Sequence, residues 1–228
     1  MSKAVVCIDW TNTLVDESKL DRAVCIDMEK KIAEKRNISF EDAHKVYVEF
    51  LKGLEGKWMW FSYPWHGKEF GIDWIEPQVR NLNKLIVFPY ARKILKIFRD
   101  EDYKVCLTTN AAEDVALMRV DKAKLLYYFD LIVGCDTVKA MKSEGKHYKL
   151  ALEYLNGKTE KSWAIGDNLE QYIEPGIKLG MRTVLCKYGP KAYLHTNNAP
   201  AAKSKEIAHY EVSSISDIDL KDLASQQF

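Results

Sequence analysis

The sequence predicts an α/β fold, a doubly wound parallel sheet core with a small α-helical insertion. Three observations carry that expectation. From Ile86 onward, short apolar runs rich in β-branched residues alternate with amphipathic stretches, the pattern of a parallel sheet with helices on both faces. Several of these runs close on a polar residue suited to phosphate or metal. Finally, about ninety residues separate the first run from the second, more than one crossover helix needs, so they contain structure of their own. The expected organisation is residues 1–14 and 86–228 as the core and 15–85 as the inserted helical domain.

The first run, Ala4-Val5-Val6-Cys7-Ile8, reads as a strand buried on both faces that delivers Asp9 to its carboxyl end. Open α/β sheets bind ligands at that edge, although an Asp there also fits a plain capping role. Glu17 to Arg36 carries Leu20, Ala23, Val24, Met28, Ile32 and Ala33 at helical spacing. Ser39, with Asp42 three residues on, reads as the N-cap of a second helix reaching about Leu54. Residues 58–74 hold Trp58, Trp60, Phe61, Tyr63, Trp65, Phe70 and Trp74, far denser in aromatics than the chain average of 11%. Most are expected to form the insertion's own small core, with a minority lining a cleft. A helical segment from Pro77 to Leu85 completes the insertion.

Pro89 is expected in the first turn of a helix carrying Ala91, Ile94, Leu95 and Ile97-Phe98. Then come a strand over 104–109, a helix from Ala112 to Tyr127, the strand Leu131-Ile132-Val133 and a helix from Lys146 to Leu155. A strand over 162–166, a short helix from Ile173 to Leu179 with Pro175 in its first turn, and the strand Thr183 to Cys186 follow. Gly180 suits the C-cap before that strand. Residues 189–207 read as a mobile surface loop, and a strand near Tyr210-Glu211-Val212 with a helix after Ser216 closes the domain.

Lys plus Arg number 34 and Asp plus Glu 33, so no bulk field recruits nucleic acid or an anionic membrane. The five cysteines, an odd number without paired spacing, fit buried reduced thiols. With no charged-then-apolar leader, no long apolar span and no lipidation signature, the expected location is cytoplasmic. The histidines show no metal-ligand spacing.

Four segments then fall in a telling order: Asp9-Trp10-Thr11-Asn12-Thr13-Leu14, Thr109-Asn110 closing a hydrophobic run, Lys142 after a third run, and Gly166-Asp167. Together they resemble the haloacid dehalogenase-like hydrolase superfamily, from about Ala4 to Leu223. That resemblance implies a Rossmann-like core with a helical cap inserted after the first motif. It also implies a Mg²⁺-dependent phosphatase or phosphotransferase acting on a small phosphorylated metabolite. Asp9 would be the nucleophile that takes the phosphoryl group as an aspartyl phosphate. Asp9, the main-chain carbonyl of Thr11 and Asp167 would hold the metal. Thr109, Asn110 and Lys142 would bind the phosphate, with Asp9, Thr11, Thr109 and Lys142 forming the catalytic set.

Two departures from the pattern matter. Thr11 stands where typical phosphatases of the family carry an acid that protonates the leaving group, and a hydroxyl is far too weak for that work at neutral pH. The P-type ATPases, with Asp-Lys-Thr-Gly-Thr, also carry Thr there, so a slow enzyme favouring acyl or aryl phosphates is expected. His66 is one candidate for the absent acid, against a packed role among its aromatic neighbours. Tyr172 occupies the place of the usual second acid of the last motif, with Glu170 and Glu174 as nearby compensators. The alternatives are a 2-haloacid dehalogenase-like hydrolase or a low-activity phosphate-binding regulatory protein. The oligomeric state is open.

Overall fold

The computed structural model describes residues 3–187 and 208–218. The loop expected over 189–207 lies outside the described residues; of the closing helix expected after Ser216 only the start is described, a 3₁₀ turn over Ile215–Asp217 capped by Ser214 rather than by Ser216.

Six strands form one parallel sheet in the order β5-β4-β1-β6-β7-β8, where β1 is Val5–Ile8, β4 Lys104–Thr108, β5 Leu131–Val133, β6 Trp163–Gly166, β7 Arg182–Cys186 and β8 Tyr210–Val212. Strand β1 is central and buried along its length, as its unbroken apolar run requires. Alternate residues feed opposite layers. Val6 and Ile8 pack with Ile94, Leu95 and Phe98 of α5 (Ala91–Asp100) and with Ala116 and Val120 of α6 (Glu113–Lys122). Val5 and Cys7 pack instead with Tyr148, Ala151 and Leu152 of α8 (Lys146–Tyr154). The sheet therefore has helices on both faces.

The insertion contains α1 (Ser18–Arg36), α2 (Phe40–Lys52), α3 (Tyr63–Phe70) and α4 (Ile75–Asn81). It leaves and rejoins the core through a two-stranded antiparallel ribbon, β2 (Val15–Asp16) with β3 (Ile86–Val87). Ser39 caps α2 by accepting from the Asp42 amide at 3.1 Å. Of the aromatics over 58–74, only Phe70 is buried in the insertion's core, beside Tyr47, Phe50 and His66. Tyr63 and Trp74 lie half-buried against Leu20, Val24 and Met28, and the Trp58–Phe61 turn packs against α7 (Cys135–Val138) of the core. The expectation that most of them build the insertion's interior is corrected in part: Phe70, Tyr63 and Trp74 pack into it with side chains of α1 and α2, while Trp58, Trp60 and Trp65 are half-buried and Phe61 is exposed.

Local differences have local causes. Pro89 precedes α5 rather than opening it, because Tyr90 is the residue at the helix start. Helix α6 ends at Lys122, and the stretch to Tyr128 continues as a short 3₁₀ turn after Lys124 adopts φ 58°. A π-helical turn over Leu169–Ile173 precedes α9 (Glu174–Lys178), where Pro175 sits in the first turn as expected. Gly180, at φ 81°, follows that helix. All five cysteines are free. Among the described residues no helix is long and apolar enough to cross a membrane.

Candidate active site

The sheet register brings the motif residues together. Ile8 pairs with Leu107 on one side and Ile165 on the other, so Asp9 emerges level with Thr108 and Gly166. Asp9 is 1% exposed, and its carboxylate is held by side chains from distant segments. Lys142 Nζ donates to Oδ1 at 2.9 Å, the Tyr172 hydroxyl donates to the same oxygen, and Thr13 Oγ1 donates to Oδ2 at 3.1 Å. Lys142, equally buried, also donates to the Thr108 carbonyl at 3.3 Å and lies 3.5 Å from the centroid of the Tyr172 ring. Burial pushes the Asp9 carboxyl up and the Lys142 ammonium down, and each charge pulls the other back. Either charge alone would be costly here, and removing one partner would strand the other.

The turn after β1 is tight. Asn12 adopts φ 59°, a left-handed conformation that Asn tolerates, and its amide donates to the Val15 carbonyl at 2.8 Å. This places the Asn12 side chain over Asp167, with Nδ2 donating to Asp167 Oδ2 at 3.1 Å. Burial, and then the charge of Asp9, push the Asp167 carboxyl up to about 7. Asn12 Oδ1 is buried and has no hydrogen-bond partner. Two carboxylates that repel one another beside an orphaned amide oxygen make an oxygen-rich donor set, which suits a hard divalent cation such as Mg²⁺. Among the described residues no group of three or more His, Cys, Asp or Glu gathers.

Thr109 follows β4 with its hydroxyl oxygen accepting from the Ala111 amide at 3.1 Å, which leaves its proton for another acceptor. Asn110 makes two hydrogen bonds within the protein. Its Oδ1 accepts from the Lys142 amide at 2.9 Å and its Nδ2 donates to Gln171 Oε1 at 3.1 Å. Both ends of that side chain thus brace the segments carrying Lys142 and Tyr172. Lys142 opens a 3₁₀ turn whose preceding amide, on Met141, is held by Glu144 at 2.9 Å, and Gly145 at φ 74° leads into α8. That geometry fixes the backbone on either side of the lysine.

Thr11 does not face Asp9 as an acid would. Its hydroxyl donates to Glu17 Oε1 at 2.6 Å. Glu17 also accepts from Trp10 Nε1 at 2.9 Å and from Arg119 Nη1 at 2.8 Å. Arg119, 2% exposed on α6, reaches across to the insertion, donating through Nη2 to Asp21 at 2.7 Å and Gln78 at 3.0 Å. A buried ionic network therefore ties the turn after Asp9 to α1 and α4.

A sequence profile of haloacid dehalogenase-like hydrolases matches residues 3–180. The chain belongs to this family. Glyceraldehyde 3-phosphate phosphatase of Pyrococcus furiosus is 25% identical over 225 residues, covering 92% of this chain and 89% of that protein. A crystal structure of a HAD phosphatase from Thermococcus onnurineus superposes with a TM-score of 0.79 at 23% identity, covering 97% of each chain. A 2-haloacid dehalogenase from Pseudomonas syringae superposes at 0.68 with 15% identity, covering 99% of this chain and 100% of the other. The fold is thus the family's fold, and it is shared with proteins named for two chemistries.

Within this haloacid dehalogenase-like hydrolase, the structure answers the candidates for the absent acids. His66 is packed inside the insertion, its ring nitrogens engaged by the Tyr47 hydroxyl and the Met59 carbonyl at 2.9 Å each, and burial lowers its pKa to about 4. Glu170 is exposed and Glu174 pairs with Lys178. The place of the second acid is filled by Tyr172 itself. Glu17 and Arg119 were not singled out from sequence as site residues. The available signal was an arginine at the buried register of α6, between Val115-Ala116 and Val120.

Proposed function

We propose that this hydrolase is a Mg²⁺-dependent phosphatase acting on a small phosphorylated molecule through an aspartyl phosphate on Asp9. The observation that carries the reading is the grip of Lys142 and Thr13 on a buried Asp9 beside Asp167. Asp9, Asp167, Asn12 Oδ1 and the main-chain carbonyl of Thr11 would hold the cation, which when bound offsets the acids' charge and that of the phosphate. Lys142 and the Thr109 hydroxyl hold phosphate oxygens by charge and hydrogen bonding, so positioning and neutralisation supply most of the catalysis. An Asp9 oxygen forms a bond to phosphorus as the bond to the leaving oxygen breaks. Water then attacks phosphorus, the Asp9–phosphorus bond breaks, and inorganic phosphate leaves with the carboxylate restored.

The leaving oxygen needs a proton that Thr11 cannot deliver, since its hydroxyl is committed to an ion-paired Glu17. A missing general acid typically costs about 10² to 10⁴-fold, so turnover is slow with alkyl phosphates and faster with aryl or acyl phosphates. The test compares p-nitrophenyl phosphate, acetyl phosphate and an alkyl phosphate, with and without Mg²⁺, and looks for acid-stable label on Asp9. Rapid turnover of the alkyl phosphate through wild-type Thr11 would overturn the slow-enzyme reading. One observation favours halide displacement as a second reading: the neutral Tyr172 where phosphatases carry an acid. Chloride release from a 2-haloacid without metal would establish it.

A further inference from the structure

Asp9 Oδ1 accepts from both Lys142 and Tyr172, the full complement of one carboxylate oxygen. A carboxylate that both attacks phosphorus and binds a cation needs a separate oxygen for each task. With Oδ1 filled, the cation must either crowd onto Oδ2 or displace one of the two donors. Lys142 is the poorer candidate to leave, because it is charged, buried and fastened to the Thr108 carbonyl at 3.3 Å. The Tyr172 hydroxyl is an uncharged donor, so displacing it strands no buried charge.

The phenol reaches Asp9 because the fold makes a seat for it. A Cβ on Gly166 would lie 2.4 Å from Tyr172 Cγ, so only glycine at the end of β6 admits the ring. The π-helical turn over Leu169–Ile173 carries it there, and Tyr148 Oη donates to the Tyr172 carbonyl at 3.1 Å. Lys142 stacks on the ring face. The ring lies between Gly166 and Lys142, its backbone is tied by Tyr148, and its one polar atom points at the acid.

We propose that the Tyr172 hydroxyl and the divalent cation compete for Asp9 Oδ1, so that this tyrosine sets how tightly the site takes Mg²⁺. It is a positioning residue: it acts on the cation through Asp9. The inference rests on the phosphatase reading above, and the experiment separates the two. Mg²⁺ alone is titrated calorimetrically into chelator-stripped wild type, Tyr172→Phe and Asp167→Asn. Tyr172→Phe keeps the ring over Gly166 and Lys142 and removes only the competing donor. It should bind Mg²⁺ about tenfold more tightly, since no hydrogen bond to a charged acceptor has to be broken. The Mg²⁺ concentration for half-maximal p-nitrophenyl phosphate hydrolysis should fall by the same factor, and Asp167→Asn should bind weakly. Tyr172→Met, which fills similar space without a hydroxyl, repeats the comparison should the phenylalanine variant be unstable. Equal or weaker binding by the variants lacking the hydroxyl overturns the inference and leaves the phosphatase reading standing. No Mg²⁺ binding by wild type or by any of these variants overturns both.

Discussion

Asp9 in the core and His66 in the insertion are both buried titratable side chains with protein partners on each polar atom, yet they differ in charge balance. Around His66 the partners are a phenol and a carbonyl, and burial keeps the ring neutral. Around Asp9 the partners include a lysine, and a second acid, Asp167, is raised to about 7 by burial and then by the charge of Asp9. The insertion buries this polar group as a satisfied neutral pair, whereas the core gathers two acids around one lysine and leaves an amide oxygen of Asn12 without a donor. Unmatched charge costs stability, so it persists where it serves binding or chemistry. By that measure we place the candidate working surface at the carboxyl ends of β1 and β6.

The contrast can be broken most sharply at Asp9. Asp9→Asn should lower Mg²⁺-dependent p-nitrophenyl phosphate hydrolysis by at least about 10³-fold, because the nucleophile is gone. A variant retaining a tenth of the activity would move the chemistry elsewhere. The next largest effect belongs to the junction between the regions. Arg119→Met strands a buried Glu17 and should destabilise by about 3–5 kcal/mol in urea unfolding, with a loss concentrated in the contact between α6 and α1.

A third measurement sharpens the charge argument. Burial, and then the charge of Asp9, push the Asp167 carboxyl up to about 7 from the ordinary carboxylate range near 4, so the folded state holds the proton more tightly. Its share of stability is therefore fully present below about pH 4 and is lost as pH rises through 7, on the order of a few kcal/mol. Chelator-treated protein should lose that much between pH 4 and 7, and Asp167→Asn should flatten the slope. The smallest effect is at His66. His66→Asn should cost about 1–2 kcal/mol of stability through its two lost hydrogen bonds. Its pH–rate profile should match wild type, and a shifted profile would return the histidine to the chemistry.

Much of the site was legible because local period and topology suffice for it. An unbroken apolar run that ends in Asp9 fixes which edge that carboxylate joins, and the parallel register carries Thr109 and Asp167 to the same edge. Lys142 was legible from its order in the chain. Asn110 was legible as a candidate phosphate binder, while its bracing of Lys142 and Gln171 needed the fold. Some of the aromatics over 58–74 were misplaced because density in sequence says nothing about which side of a small helical layer faces outward.

By itself the sequence determined the strands and their polar ends, since alternation of apolar and polar residues is a property of neighbours along the chain, and four motifs in order carried the resemblance to the family. Only the tertiary structure decided that Thr11 spends its hydroxyl on Glu17, that Arg119 closes that network from 102 residues away, and that Tyr172 lies on Lys142 against Asp9. The reason is physical: a buried charge must find its counterpart in space, and chain folding, through the turn at Asn12 and the π turn before α9, decides which partners come within reach.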